Sequence, residues 1–139
     1  MSRFVLDASV TVAWCFADET TAYTETVLEM LATGGDALAP AIWPFELANV
    51  LVMAERRKRI TLAKTANFLQ LLAGFAISFD AASAAQTFDK VLSLAREKGL
   101  STYDAAYLEL AIREALPLAT LDTDLKKAAK AVGVRIAGV

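Results

Sequence analysis

Four acids stand apart from the other charged residues because of where they fall. Asp7 directly follows the apolar run Phe4-Val5-Leu6, Glu46 lies within WPFELANVLV, Asp104 within STYDAAYLELA, and Asp122 directly follows Leu118-Ala119-Thr120-Leu121. Asp7 and Glu46 are embedded in apolar segments with no lysine or arginine as a close sequence neighbour. The chain has no histidine, and Cys15 is its only cysteine. Ser-His-Asp triads, histidine-ligated zinc and paired-cysteine metal sites are therefore excluded, and any chemistry must run on carboxylates. Carboxylates gathered closely repel one another and rise in pKa unless something positive joins them. A hard divalent cation meets that need: Mg²⁺ and Mn²⁺ prefer oxygen ligands and keep part of their water. Such an ion activates a water and stabilises charge growing on a phosphoryl oxygen, so phosphodiester hydrolysis needs no histidine.

Each acid also has a local explanation. Asp7 and Asp122 each suit the cap of a following helix, at Ser9 and Thr123, and Ser101 to Asp104 matches a capping box. Glu46, about three positions after Trp43, and Asp124 stand where a carboxylate favours the helix dipole. Convergence of the four is what separates a site from a set of caps, and convergence depends on the elements that carry them.

Strand-like and helical segments alternate. Phe4–Leu6, Ala37–Ala39, Ile77–Phe79, Pro117–Leu121 and Val134–Ala137 read as strands. Helices are expected over Ser9–Ala17, Thr20–Thr33, Pro44 to about Arg57, Thr61–Ala73, Ala81–Lys98, Ser101–Ala115 and Thr123–Val132, with Gly34-Gly35, Gly99 and Gly133 as stops. In the helix at 81–98 the apolar positions Phe88, Val91, Leu92 and Ala95 recur at helical spacing. Strands separated by helices imply an α/β fold, a central parallel sheet with helices on both faces. In such a sheet ligands bind beyond the carboxyl ends of the strands. Asp7 and Asp122 leave strands at that edge, and Glu46 and Asp104 lie in first turns of helices that can point there.

With 139 residues the chain is expected to form a single domain spanning 1–139. Hydrophobic residues make up 56% of it and mean hydropathy is +0.43, high enough that some apolar surface is expected to meet a partner. The nearly apolar stretch Phe68–Phe79 falls well short of the roughly 20 residues of a membrane span. MSRFVLDASV lacks a secretory pattern, so no membrane association and a cytoplasmic location are expected. Cys15 reads as a small packed hydrophobe. The net charge of −2 does not announce a nucleic-acid binder. Attention falls instead on Arg56-Arg57-Lys58-Arg59 and on Lys126, Lys127 and Lys130, as solvated helix positions or as phosphate contacts. Trp14, Phe16, Trp43 and Phe45 flank the acid-bearing segments, as core or as anchors for a partner helix.

The ordered set FVLDASV, FELANVL, STYDAAYLELA and LATLDTDL resembles the PIN domain, and more narrowly the VapC-type toxins of type II toxin–antitoxin systems, over the whole chain. The resemblance implies a three-layer fold with strand order 3-2-1-4-5 and an acidic pocket of Asp7, Glu46, Asp104 and Asp122. Asp7 and Asp104 would be the most direct Mg²⁺ ligands, with Mn²⁺ able to substitute, and Glu46 and Asp122 would complete the site or hold bound water. Ser9 and Thr120 match supporting hydroxyl positions, and Asp124 is an additional acid. The implied activity is endoribonuclease cleavage of RNA by a homodimer, held in check by a VapB-type antitoxin, with DNA contacted only through that antitoxin. The alternative is a non-catalytic PIN-like interaction module. A phosphatase of the haloacid-dehalogenase type would need an aspartate where Ser9 stands, and a phospho-acceptor receiver domain a lysine ending the last strand, which Val134–Ala137 does not offer.

Overall fold

The computed structural model describes residues 2–139. Four parallel strands form its sheet: β1 (Arg3–Leu6), β2 (Asp36–Pro40), β3 (Ala76–Asp80) and β4 (Leu118–Ala119), in the order β3-β2-β1-β4. Between them run α1 (Ala8–Cys15), a 3₁₀ turn at Ala17–Glu19, α2 (Ala22–Ala32), α3 (Trp43–Arg56), α4 (Leu62–Ala73), α5 (Ala84–Gln86), α6 (Leu92–Lys98), α7 (Thr102–Glu114) and α8 (Thr123–Ala131). The order follows the α/β reading. Right-handed crossovers, the rule for parallel strands, carry the chain outward from β1 to β3 over one face and back to β4 over the other. The reversal falls between β1 and β4, which makes the carboxyl ends of those two strands the natural place for a ligand.

β1 explains its apolar sequence: Phe4, Val5 and Leu6 have no exposed surface at all, as expected of a central strand covered on both sides. β1 pairs with β2 from Arg3↔Asp36 to Val5↔Leu38, and with β4 only at Val5↔Leu118 and Leu6↔Ala119. β4 is thus shorter than the expected Pro117–Leu121. The expected strand at Val134–Ala137 is reduced to one parallel bridge, Leu118↔Ile136, held by Leu118 N–H to Arg135 at 2.8 Å and Ala137 N–H to Leu118 at 2.9 Å. It lies beside β4, where a fifth strand was expected.

The expected helix at 81–98 begins later, at Ala84, capped by Ser83, and its middle is a π-helical turn at Thr87–Val91. A π turn spaces its bonds i→i+5, which rotates Phe88 off the face set by Val91 and Ala95. Phe88 is accordingly exposed, while Val91 and Ala95 pack on Ala105 of α7. No helix among the described residues is long and apolar enough to cross a membrane.

α7 is also tied to the far edge of the sheet. Arg113 donates to both oxygens of Asp80 at the end of β3, at 3.1 and 2.8 Å, and to Glu109 one turn back, at 2.9 and 3.1 Å. Glu109 is largely buried, and that guanidinium is its ion-pair partner. Replacing Arg113 by Met strands Glu109 and should lower unfolding stability by about 1–3 kcal/mol. Urea denaturation should show a lower midpoint with the slope unchanged.

Candidate functional site

Asp7 leaves β1 at the N-cap position of α1, yet its side chain makes no cap bond. It accepts instead from two hydroxyls: Ser9 Oγ and Thr120 Oγ1 each donate to Asp7 Oδ2 at 2.7 Å. Those hydroxyls are themselves held by the chain beyond β4, Ser9 Oγ accepting from Leu121 N–H at 3.1 Å and Thr120 Oγ1 from Asp122 N–H at 3.0 Å. Each oxygen therefore accepts from the backbone and donates to the carboxylate, which fixes the direction of its proton. These are the two hydroxyls that the family resemblance implied as supporting positions.

Asp122 does cap α8, its Oδ1 accepting from Leu125 N–H at 2.8 Å, so the capping reading holds for this residue without removing it from the pocket. Asp104 is carried in the first turn of α7, which is capped by Ser101 Oγ accepting from Asp104 N–H at 3.1 Å. Glu46 lies in the first turn of α3, where Pro44 loses no helical hydrogen bond. Its carboxylate accepts from the hydroxyl of Tyr107, a fully buried residue of α7.

These four carboxylates line one cavity of about 360 Å³, together with Ser9, Val12, Val50, Leu121 and Glu19. Among the described residues no lysine or arginine lines it. Burial pushes the Asp7 carboxyl above the usual carboxylate range, and the charge of Asp122 adds to the rise. Glu46 is raised by burial and by Asp7 and Asp104, against the lowering effect of the Tyr107 hydroxyl. Asp104 is raised by burial and then by Asp122 and Asp7. These mutual effects place the acids within one another's field. Among the described residues no three acidic or cysteine side chains are grouped tightly enough to hold a metal ion by themselves. A cation that keeps several waters and binds through one or two carboxylates is the kind this donor set fits.

The model of the PIN domain matches residues 4–131. The chain belongs to the PIN-domain family. Its fold is similar to that of PAE2754 from Pyrobaculum aerophilum (TM-score 0.68, 23% identity, 91% of this chain and 86% of that one). It is also similar to VapC20 of Mycobacterium tuberculosis, a sarcin-ricin loop cleaving toxin (TM-score 0.64, 16% identity, 96% of each chain). A third similar structure is VapBC2 from Rickettsia felis, bound to a DNA fragment from their promoter (TM-score 0.64, 17% identity, 96% of each chain). No curated protein matches the sequence.

The remaining residues of this PIN domain sort themselves by contact. Asp124 is exposed and does not line the cavity, though its charge reaches Asp104. In the basic run, Arg59 is engaged: it donates to Asp18 at 2.8 Å and pairs with Glu19 at 2.8 Å, with its guanidinium 4.0 Å from the centre of the Phe16 ring. Arg56, Arg57 and Lys58 are exposed, and none lines the cavity. Phe16 and Trp43 are buried and Trp14 is half-buried, whereas Phe45, next to Glu46, is 74% exposed. Cys15 packs against the core, and burial pushes its thiol up. Two site residues escaped the sequence reading. Tyr107 was legible in principle, three positions after Asp104 and hence on the same helical face. Glu19 was not, because the 3₁₀ turn that brings it to the cavity has no periodicity to read.

Asp7, Glu46 and Asp104 all bind their protons more tightly folded than unfolded. Their contribution to stability is therefore complete below the ordinary carboxylate range and is lost as pH rises through the raised folded values. In chelator, the melting temperature should climb as pH falls from neutral to mildly acidic, and the climb should be smaller in Asp7→Asn. A flat profile shared by both proteins would mean the carboxylates are not mutually strained.

Proposed function

We propose that this PIN domain is a metal-dependent endoribonuclease and the toxin of a VapBC-type pair. The observation that carries the reading is the cavity itself: five carboxylates counting Glu19, three of them pushed upward, with no basic side chain among its described lining residues. Asp7 and Asp104 would hold Mg²⁺ most directly, with Mn²⁺ able to substitute, and Glu46 and Asp122 would complete the site or hold its water. When bound, the cation supplies Lewis acidity toward a phosphodiester and lowers the pKa of a water.

The chain's own groups set the geometry. Ser9 and Thr120 both donate to Asp7 Oδ2 and so anchor this carboxylate through one oxygen. Tyr107 does the same for Glu46 by holding Oε1. Asp122 is anchored through Oδ1, which accepts from Leu125 N–H, while the residue lines the cavity. Each of these three acids is thus held through one oxygen, a preorganisation that spares the site from reordering when substrate arrives. Asp124 plays a peripheral electrostatic role.

Similarity to VapC20 and VapBC2 supports the toxin assignment and a VapB-type antitoxin as partner; on this reading the chain would act as a homodimer in the cytoplasm. An apolar groove of about 490 Å³ along α3 and α4, lined by Leu47, Leu51, Leu69 and Phe79 among others, suits a partner's helix. The alternative of a non-catalytic module would leave the strain among the acids unrelieved.

Asp7→Asn and Asp104→Asn keep shape while removing charge, so RNA cleavage should fall by orders of magnitude with the fold intact. Asp124→Asn should be mild. Chelation should abolish cleavage, and Mg²⁺ or Mn²⁺ should restore it. A fluorogenic RNA assay with thermal melts on the same preparations reads both, and near-normal turnover in the two folded Asn variants would displace the metal from these residues. Co-expressed with its neighbouring small open reading frame, the chain should purify as a stable complex inactive on RNA. Recovery of a lone active monomer would remove the toxin assignment but not the nuclease.

A further inference from the structure

The acidic cavity leaves the lysines of α8 unexplained. Asp122 caps that helix, Lys126 follows one turn later and Lys130 two turns later. At a rise of about 1.5 Å per residue they lie roughly 6 and 12 Å along the axis from the last pocket acid. Both line a second, larger cleft of about 990 Å³ between α2, α8 and residues 133–139, and Arg135 lines it as well. Among the described residues no aspartate or glutamate lines this cleft. Arg3 lies in it too but is paired with Asp36 at 2.9 Å. Lys126, Lys130 and Arg135 take part in none of the ion pairs among the described residues. In a chain of net charge −2, three unneutralised cations along one cleft are a local reversal of sign.

The cleft also holds a fixed aromatic. Tyr23 lines it with the Lys126 ammonium 5.4 Å from its ring centre, and its hydroxyl donates to Ala137 O at 2.8 Å. A row of cations beside an anchored ring is the combination that single-stranded nucleic acids use, phosphates on the cations and a base on the ring. A duplex has little use for the ring because its bases are already stacked.

We propose that this cleft binds the sugar–phosphate strand of single-stranded RNA on one side of the bond to be cut. Lys126 and Lys130 take successive parts of the backbone away from the pocket, Arg135 takes a third phosphate, and Tyr23 offers a stacking face. The proposal rests on the nuclease reading for its ligand. It also answers a difficulty in that reading, since the five carboxylates of the cavity repel the polyanion to be cut, and attraction has to come from outside it.

Binding is measured by fluorescence anisotropy of a labelled single-stranded oligoribonucleotide in chelator, so that nothing is cut. The triple variant Lys126→Gln, Lys130→Gln, Arg135→Gln should bind roughly tenfold or more weakly, and the slope of log K against log salt should flatten by about 2, near 0.7 for each phosphate that is no longer neutralised. Each single substitution should flatten it by about 0.7, which keeps the test open should the triple variant be poorly folded. Lys127→Gln, exposed on the same helix but outside the cleft, should change neither quantity. Tyr23→Leu should weaken binding with the slope unchanged. Unchanged affinity and slope in the folded triple variant would overturn the proposal. An equal loss for duplex DNA would also overturn it, making this a duplex-backbone site, as would a loss confined to a protein partner. A chain that holds RNA through the cleft yet never cuts it would retire the nuclease reading alone, whereas one that cuts RNA with no contribution from the cleft would do the reverse.

Discussion

A carboxylate at the end of a fully buried strand must be hydrogen-bonded, and much of this structure follows from how Asp7 is. It is 6% exposed, so water cannot solvate it well, and an unsatisfied charge there would cost several kcal/mol. Ser9 and Thr120 resolve this, and in doing so they bind the chain after β4 to the chain after β1. The backbone ladder between those strands covers only two residue pairs. The hydroxyl bridges carry the contact on past its end, up to the N–H of Asp122. The start of α8, and with it the placing of the last acid, depends on the solvation of the first.

A second tie works across the layers. Tyr107 is wholly buried, and burial together with the bond to Glu46 pushes its phenol far above the usual range. It is a donor at any pH the protein meets. Through it the helix that carries Asp104 also orients Glu46, so two acids on helices whose bonded residues are 61 positions apart share one support. The core beneath them, Leu47 of α3 and Leu108 of α7 with β1, makes that support rigid.

What could be read in the sequence was what periodicity and neighbourhood record. β1 was visible because a buried parallel strand is a continuous apolar run, and the acids after β1 and β4 were visible because a charge closing such a run is conspicuous. The end of the sheet was less legible: Val134–Ala137 has strand composition, but only Ile136 meets a partner, and composition does not report pairing. Phe88 misled because apolar spacing assumes an α-helical turn, and nothing in the letters marks a π turn. Phe45 and Trp43 are two residues apart and equally apolar in type, yet one is exposed and the other buried. The difference is set by which side of α3 faces β3, where Trp43 meets Phe79 with ring centres 5.5 Å apart. Arg113 and Asp80 are 33 residues apart, and no local rule links them.

The capping of these helices and the clustering of acids are two views of one arrangement. α1, α3, α7 and α8 all begin at the rim of the acidic cavity, with Asp7 and Asp122 at N-cap positions and Glu46 and Asp104 in first turns. Each helix start carries roughly half a positive charge from its aligned peptide dipoles. The backbone therefore surrounds the cavity with a diffuse positive collar that no titration removes and no chelator extracts. Every acid sits where its own helix would favour it, so the repulsion among the four is opposed residue by residue before any counter-ion arrives. The fold can in this way complete itself around the acids alone, without a counter-ion.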